Sequence, residues 1–168
     1  MSVSMYEASI PVFVRGLKNL SAILEKAVTN AEIRRIKPEV LVNARLAPDM
    51  LPLSAQIQIL SDSAKGCAAR LAGVEVPSFA DAEVTFDDLQ ERIEKTLTFI
   101  QGIAAADVDG SEDHTVVLKI GGRELSFSGK SYLLNFAMPN FYFHLTTAYA
   151  ILRHNGVDIG KRDYLGDI

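Results

Sequence analysis

The sequence predicts an all-α protein, a four-helix bundle with a small β-hairpin between the third and fourth helices. Apolar residues recur every three to four positions in four long segments, and capping or helix-breaking residues mark their ends. One late stretch changes instead to the period of two that is typical of strands. Amphipathic helices bury their apolar faces best against one another. We therefore expect one helical-bundle domain over residues 1–168.

Composition and charge are those of an ordinary soluble protein. Hydrophobic residues make up 48% of the chain, and the net charge of −4 offers no broad positive surface for nucleic acid. No apolar run approaches the ~20 residues that cross a bilayer. The single cysteine forms no internal disulfide, and the first residues lack the pattern of an export signal. We expect a cytoplasmic protein that binds neither nucleic acid nor a membrane.

The first helix is predicted by an apolar stripe near the N-terminus. Pro11 lies inside this stripe, so the helix either starts near Ser9, with the proline in its first turn, or bends at Pro11. The pattern fades around residues 29–30, and residues 31–51 form a connector with room for one helical turn. The stripe consists of Tyr6, Ile10, Phe13, Leu17, Leu20, Leu24 and Ala27.

The second and third helices have clear ends in the sequence. Pro52 suits the first position of the second helix, and Gly73 is typical of its end. Thr85 starts the third helix, because Asp88 three residues later completes a capping pair. We expect this third helix to end around residues 104–106.

A hairpin and a long fourth helix complete the predicted fold. The β-type runs Thr115–Ile120 and Arg123–Ser128 flank a Gly-Gly pair, which tight hairpin turns prefer. A two-stranded hairpin is marginal alone, so it has to pack on the bundle or on another subunit. The fourth helix is predicted over residues 130–155, with a bend at Pro139.

His144 is the residue of greatest chemical interest in the predicted fourth helix. Its helix is apolar over much of its surface, so the imidazole is expected to be partly buried and to need a polar partner. Asn140 lies one turn before it and Thr147 about one turn after it, which places a polar strip toward the bundle interior. Two interpretations stay open: a core histidine bonded to a neighbour, or a residue that contacts a ligand or a metal.

The second predicted helix supplies partners for this strip. Gln56, Gln58 and Asp62 interrupt its apolar run. Asp62 either pairs with Lys65 at the surface or turns its carboxylate inward toward His144. If the imidazole is buried and neutral, its pKa lies below the ordinary value of about 6.5, whereas a neighbouring carboxylate raises it.

Three stretches carry a family resemblance: MYEASIPVF at the start, ARLAPDMLPLSAQIQILSDSAK around the second helix, and PNFYFHLTTAYAILRHNG in the fourth. Over nearly its whole length the chain resembles a domain-of-unknown-function branch of the DinB/YfiT-like metalloenzyme superfamily. The resemblance implies a DinB-like four-helix bundle in up-down-down-up order that is frequently a homodimer.

The resemblance also implies a position for a metal site. In many relatives one histidine on the second helix and a His-x-x-x-His pair on the fourth hold a divalent metal, and some relatives transfer or hydrolyse small thiol or amide compounds. Carried over to this chain, the pair falls on Asn140 and His144, and the second-helix position falls on or next to Ile59. His144 is therefore the one implied metal ligand that remains. A single imidazole with neutral amides holds zinc or nickel weakly.

Three functions follow as alternatives. The first is a cleft that binds a small polar ligand after loss of the metal site, with no cofactor. The second is an enzyme, either with His144 as a general base oriented by Asp62, or as a metal-dependent transferase or hydrolase whose zinc or nickel is completed by Gln58 or Asp62. The third is a dimeric structural or interaction module. The residues predicted to bind the small ligand are Asn140, His144, Thr147, Gln56, Gln58 and Asp62.

Overall fold

Four long helical segments form the architecture, with short elements in their connections. In this computed structural model, which describes residues 3–167, three of the long segments are α1 (Ile10–Ile33), α3 (Leu53–Ala72) and α4 (Phe86–Gln101). The fourth consists of α6 (Gly129–Tyr132), a π-helical turn (Leu133–Ala137) and α7 (Met138–His154). The short helices are α2 (Pro38–Val42), α5 (Ala105–Val108) and α8 (Lys161–Leu165). None of the helices described is both long enough and apolar enough to span a bilayer.

Helix α1 starts at the first of its two predicted positions. Ser9 is the N-cap residue, and Pro11 lies in the first turn, where its missing N–H costs no hydrogen bond. The helix continues to Ile33, beyond the predicted fading at residues 29–30. Tertiary contacts extend it, because Ala31 is buried and the Arg34 guanidinium donates to the Asn155 carbonyl at 2.7 Å.

Helix α4 begins as predicted, and α3 begins one residue later than predicted, because Pro52 is its N-cap residue and Leu53 its first helical residue. Helix α3 follows Pro52 and ends before Gly73, whose φ of 68° is the left-handed conformation that favours glycine. At the start of α4, Thr85 Oγ1 accepts from the Asp88 N–H at 3.1 Å, while the Asp88 carboxylate accepts from the Thr85 N–H at 2.8 Å. This reciprocal pair is the predicted capping box.

The predicted end of the third helix at residues 104–106 is wrong. Helix α4 ends at Gln101. The next two N–H groups, of Gly102 and Ile103, donate to carbonyls three residues back, which tightens the last turn and lets the chain leave the helical path. Residues 105–108 then form the separate helix α5.

Contacts between the long segments define an up-down-down-up order. Helices α1 and α7 are parallel, α3 is antiparallel to α7, and α4 is parallel to α3. The contacts that set these directions are Phe13–Phe141 and Arg34–Asn155, then Gln56–His144 and Arg70–Tyr132, then Gln58–Arg92 and Ser61–Thr96. The order implied by the family resemblance is confirmed.

The parallel arrangement of α3 and α4 requires a long return connection. Helix α3 has 20 residues and therefore rises about 30 Å, so the chain has to travel back over a similar distance before α4 starts. Residues 74–84, which we call the crossover segment, contain neither helix nor strand. An extended chain covers about 3.3 Å per residue, which suffices for the return.

The hairpin forms with the predicted bounds, β1 (Thr115–Ile120) and β2 (Arg123–Ser128). Both residues of its Gly-Gly turn have positive φ, 55° and 76°, as this tight turn demands. Val116 and Leu118 of β1 are buried at 3% and 6% exposure. The hairpin therefore packs on the bundle of its own chain.

The fourth long segment accommodates Pro139 through the π-helical turn. The irregularity covers Leu133–Ala137, just before the proline, which itself lies in the first turn of α7. The irregularity therefore lies about one turn before Pro139, the position predicted for the bend. A proline lacks an N–H and crowds the preceding turn, and the wider π turn relieves both effects.

Helix α8 has no counterpart in the predicted fold. Its five residues are too few to show a periodic pattern. Contacts with α1 hold it in place: the Asn19 amide donates to the Tyr164 carbonyl at 3.0 Å, and Lys26 pairs with Asp163 at 2.5 Å.

Candidate functional site

His144 on α7 is buried and bonded to α3. Its Nδ1–H donates to Oε1 of Gln56 at 2.7 Å. The Gln56 amide has a defined orientation, because its Nε2 donates to the Leu51 carbonyl at 3.0 Å and its oxygen must face the imidazole. This network assigns the ring proton to Nδ1. The Nε2 atom keeps its lone pair and forms no hydrogen bond with any of residues 3–167.

The surroundings of His144 favour the neutral imidazole. Burial lowers its pKa below the ordinary value, and its partner Gln56 carries no charge that could oppose this shift. Of the two titration outcomes that the sequence leaves open, the geometry gives the lowered pKa. His144 is therefore an acceptor at Nε2 near neutral pH.

Replacing Gln56 by glutamate is expected to reverse the shift of the His144 pKa, because a carboxylate beside the ring stabilises the imidazolium. In the wild type, the lowered pKa stabilises the fold above about pH 6.5, and this contribution is lost as the pH falls through the folded pKa. In Gln56→Glu the contribution is present below about pH 6.5 and is lost as the pH rises through the folded pKa.

An NMR titration of the His144 ring protons measures the His144 pKa in the wild type and in Gln56→Glu. Gln90→Glu is the matched control, because Gln90 lies on α4 and bonds to Ser21 of α1. It should leave the His144 titration unchanged. A His144 pKa that falls further in Gln56→Glu would contradict the assigned contact.

Gln58 and Asp62 lie on a different face of α3 and contact the crossover segment and α4. Gln58 Nε2 donates to the Glu83 carboxylate at 2.8 Å. Asp62 Oδ1 pairs with Arg92 and with Lys65, each at 2.9 Å. Asp62 thus forms the expected pair with Lys65 and does not turn toward His144. The two residues are not brought together with the imidazole.

Arg92 is the centre of the cluster formed with Gln58 and Asp62, and it is not among the candidate residues predicted from the sequence. Its side chain is 1% exposed, and its Nη1 donates to Asp81 at 2.9 Å and to Glu83 at 3.0 Å. Burial raises the pKa of Glu83, but hydrogen bonds from Gln58 and Arg92 outweigh burial and hold it below its ordinary value. A signal was present: Arg92 lies three residues after Leu89, on the apolar stripe of α4.

Asn140 and Thr147 each satisfy a backbone carbonyl of their own helical segment. Thr147 Oγ1 donates to the Phe143 carbonyl at 2.7 Å, and Asn140 Nδ2 donates to the Phe136 carbonyl at 2.7 Å. The Asn140 Oδ1 atom forms no hydrogen bond with any residue the structure describes. Asn140, His144 and Thr147 therefore share a strip of α7 without bonding to one another.

A cleft of about 250 Å³ lies beside this strip, between α3, β1 and the fourth long segment. Ile59 and Asn140 line it, together with Asp62 and Ser63 of α3. The pair of Gln56 and His144 lies about one helical turn further along the antiparallel seam, since each residue is three or four positions from a lining residue. The cleft thus occupies the place where the family resemblance puts the metal site.

A larger cleft of about 430 Å³ lies between the crossover segment and α4, but its charged groups are paired with each other. Arg92 binds Glu83, Lys95 binds Glu91 at 2.6 Å, and Asp88 caps α4. These groups have little capacity left for a ligand. The smaller cleft is therefore the better candidate.

The side chains at the smaller cleft do not fit a zinc or nickel ion. Ile59 offers a hydrocarbon and Asn140 a neutral amide, while the Asp62 carboxylate is already paired with Lys65 and Arg92. His144, about one turn away, adds a single imidazole, whereas such ions are held by several histidine, cysteine or carboxylate ligands. Over residues 3–167, no three histidine, cysteine, aspartate or glutamate side chains converge well enough to hold a metal.

Comparison with known proteins agrees with the fold. Residues 5–165 match the family described as a domain of unknown function, DUF1993. A crystal structure of a DinB family member protein from Shewanella denitrificans is 41% identical, with a TM-score of 0.88, and the match covers 97% of this chain and 92% of that chain. No curated protein gives a significant match. The chain therefore belongs to DUF1993, a domain-of-unknown-function branch of the DinB family.

Proposed function

We propose that this protein binds a small polar organic molecule in the cleft between α3, β1 and α7, and that it does so without a metal ion. The main support for this proposal is the position of the cleft in the fold. Ile59 and Asn140, which stand where the resemblance puts metal-binding histidines, line an open space of about 250 Å³. Because these positions carry no metal-binding histidines, the cleft has room for an organic molecule.

The polar groups of the cleft support this proposal. The bond from Asn140 Nδ2 to the Phe136 carbonyl orients the amide and leaves Oδ1 to accept a hydrogen bond from a ligand. Apolar walls with a few well-placed polar groups are typical of small-molecule sites. Direct contact of the ligand with His144, Gln56, Gln58 or Thr147 stays a prediction.

Thermal unfolding with a library of small polar metabolites tests the proposal. A ligand at 100 times its Kd stabilises the folded state by about 2.7 kcal/mol, which raises the Tm of a domain of this size by roughly 5–10 °C. Asn140→Leu replaces the amide by a hydrocarbon of similar length, so the polar contact is lost and the shift should be abolished. Asn135→Leu is the matched control, since Asn135 is exposed on the same helical segment.

Two results would contradict the proposal. One is a ligand-induced shift that persists in Asn140→Leu. The other is a stoichiometric zinc or nickel ion in untagged protein that is lost in His144→Ala, which would restore the metal-dependent transferase or hydrolase.

A dimeric interaction module is the second candidate, and exposed apolar side chains favour it. Val117 of β1, Leu134 and Phe143 are 46%, 49% and 55% exposed. Exposed apolar side chains mark an interface when one partner covers them together, so this candidate requires that all three residues face the second copy of the chain. We expect light scattering at micromolar concentration to give the mass of a homodimer, and the mass of a single chain would contradict this candidate.

A further inference from the structure

We infer that the cleft recognises a carboxylate through the Arg70 guanidinium, so that its ligand is a small organic monoanion. Arg70 of α3 is half-buried and lines the cleft together with Lys119 of β1, which is exposed. The inference rests on the proposed function, because it names the class of molecule that the same cleft takes.

Uncharged neighbours hold Arg70 in place. Its Nη1 donates to the Tyr132 hydroxyl at 3.1 Å, and the guanidinium carbon lies 5.9 Å from the centre of the Tyr132 ring. The side chain also lies against Gly66, where an added Cβ would collide with Nη1. The guanidinium is therefore oriented before a ligand binds, which reduces the entropy cost of binding.

No carboxylate of the described residues neutralises Arg70. The acidic residue in the cleft lining, Asp62, lies eight positions away on α3, which is about 12 Å along the axis, and it is held by Arg92 and Lys65. Arg70 is half-buried, so it loses hydration without gaining a counter-ion. Its free N–H groups match the two oxygens of a carboxylate.

The charges of the lining favour a monoanion. Asp62 is already paired with Lys65 and Arg92, and Lys119 is exposed to solvent, so the half-buried Arg70 provides the one positive charge that a ligand in the cleft meets. The Tyr132 phenol stays neutral, because burial raises its pKa to about 12. One net positive charge balances one carboxylate, whereas a phosphate monoester carries about −1.5 to −2 near pH 7.

The size of the cleft and its apolar walls narrow the class of ligand further. A volume of about 250 Å³ corresponds to roughly eight water molecules. Ile59, Leu118 and Phe136 supply apolar wall. Benzoate fits both properties, and benzamide is its uncharged counterpart of nearly the same shape.

An NMR titration of the full chain with benzoate, benzamide and phenyl phosphate at pH 7 tests the inference. We expect benzoate to shift the Arg70 Nε–H and Asn140 side-chain amide signals saturably. Benzamide should bind at least tenfold more weakly, and phenyl phosphate more weakly than benzoate. Arg70→Gln should weaken benzoate binding at least tenfold, and Arg70→Lys, which keeps the charge but loses the paired N–H groups, several-fold. Lys18→Gln, an exposed charge removed from α1, is the control and should change nothing.

The outcomes separate the two proposals. Benzamide binding as tight as benzoate binding, or benzoate binding unchanged in both Arg70 variants, overturns the carboxylate inference and leaves the proposed function standing. If phenyl phosphate binds more tightly than benzoate, the inference that the ligand is a monoanion is overturned. If none of the three probes shifts the cleft signals, the inference is overturned, and the proposed function falls with it when the metabolite library also gives no melting shift. If Arg70→Gln does not fold, benzoate binding to Arg70→Lys tests the inference instead.

Discussion

Replacing Arg92 by methionine is expected to lower the free energy of unfolding by about 3–5 kcal/mol, because it breaks a buried cluster of charges. Arg92 binds Asp62 of α3 and both Asp81 and Glu83 of the crossover segment. Without the guanidinium, the Glu83 carboxylate, whose side chain is 10% exposed, loses its cation. Methionine retains much of the volume, so the lost charge dominates the effect. Urea unfolding followed by circular dichroism measures it.

Lys95→Met is the matched control for Arg92. Lys95 pairs with Glu91 on the same helix, but the two side chains are 57% and 64% exposed, and such a pair contributes about 0.3–0.5 kcal/mol. Adding Glu83→Gln to Arg92→Met should recover part of the loss, because the buried unpaired charge disappears. Equal losses in Arg92→Met and Lys95→Met would contradict the structural role of the cluster.

The Arg92 cluster also explains how this bundle keeps its parallel α3 and α4. The crossover segment has no backbone ladder of its own, so side chains must attach it to the helices. Arg92 Nη1 donates to the Ala80 carbonyl at 3.1 Å, and Lys65 Nζ donates to the Pro77 carbonyl at 2.7 Å. The Phe79 ring lies near both cations: its centre is 5.8 Å from the Arg92 guanidinium carbon and 4.9 Å from Lys65 Nζ. The cluster thus joins the return connection to both helices.

Replacing Phe141 by alanine is expected to cost about 3–5 kcal/mol of stability, the usual range for a fully buried phenylalanine. Phe141 is 0% exposed, and its ring lies 4.9 Å from the ring of Phe13. Helix α7, which carries Asn140 and His144, packs on α1 through this contact. Phe143→Ala on the same helix is the control, since Phe143 is 55% exposed and should cost no more than about 0.5 kcal/mol.

Gly16 provides a second, independent check on the Phe141 contact. A Cβ at Gly16 would lie 2.7 Å from the Phe141 ring, so Gly16→Ala should destabilise the wild type. In Phe141→Ala the same methyl group enters the empty space and removes a helical glycine, so it should stabilise that variant by about 1 kcal/mol. The same sign in both backgrounds would contradict the packing described.

Local signals predicted much of the fold. The capping box at Thr85, the glycine after α3 and the Gly-Gly hairpin turn act within a few residues, so they are legible in the sequence. The prediction fails where contacts between residues far apart in the sequence determine the structure. Helix α1 is extended by Arg34 reaching Asn155, and α8 is held by α1. No local pattern encodes such contacts.

In the candidate site, too, some features follow from local spacing and others depend on contacts between helices. The sequence prediction treats Gln56, Gln58 and Asp62 together as partners of His144, yet helical geometry separates them. Gln58 and Asp62 are four residues apart and share a face, whereas Gln56 points about 160° from Gln58. That separation was available from spacing alone. Spacing did not tell which face α7 covers and which face α4 covers.

The order of residues alone was enough to specify four amphipathic helices, a hairpin and an imidazole on an apolar helix that had to find a neutral or charged partner. Packing chose the partner, Gln56, and with it the ring proton on Nδ1 and the lowered pKa of His144. Packing also joined Arg70 of α3, Lys119 of β1 and Asn140 of α7 around one cleft. The physical reason is range: hydrophobic periodicity and capping act along the chain, whereas burial, charge pairing and cavities depend on which helices meet.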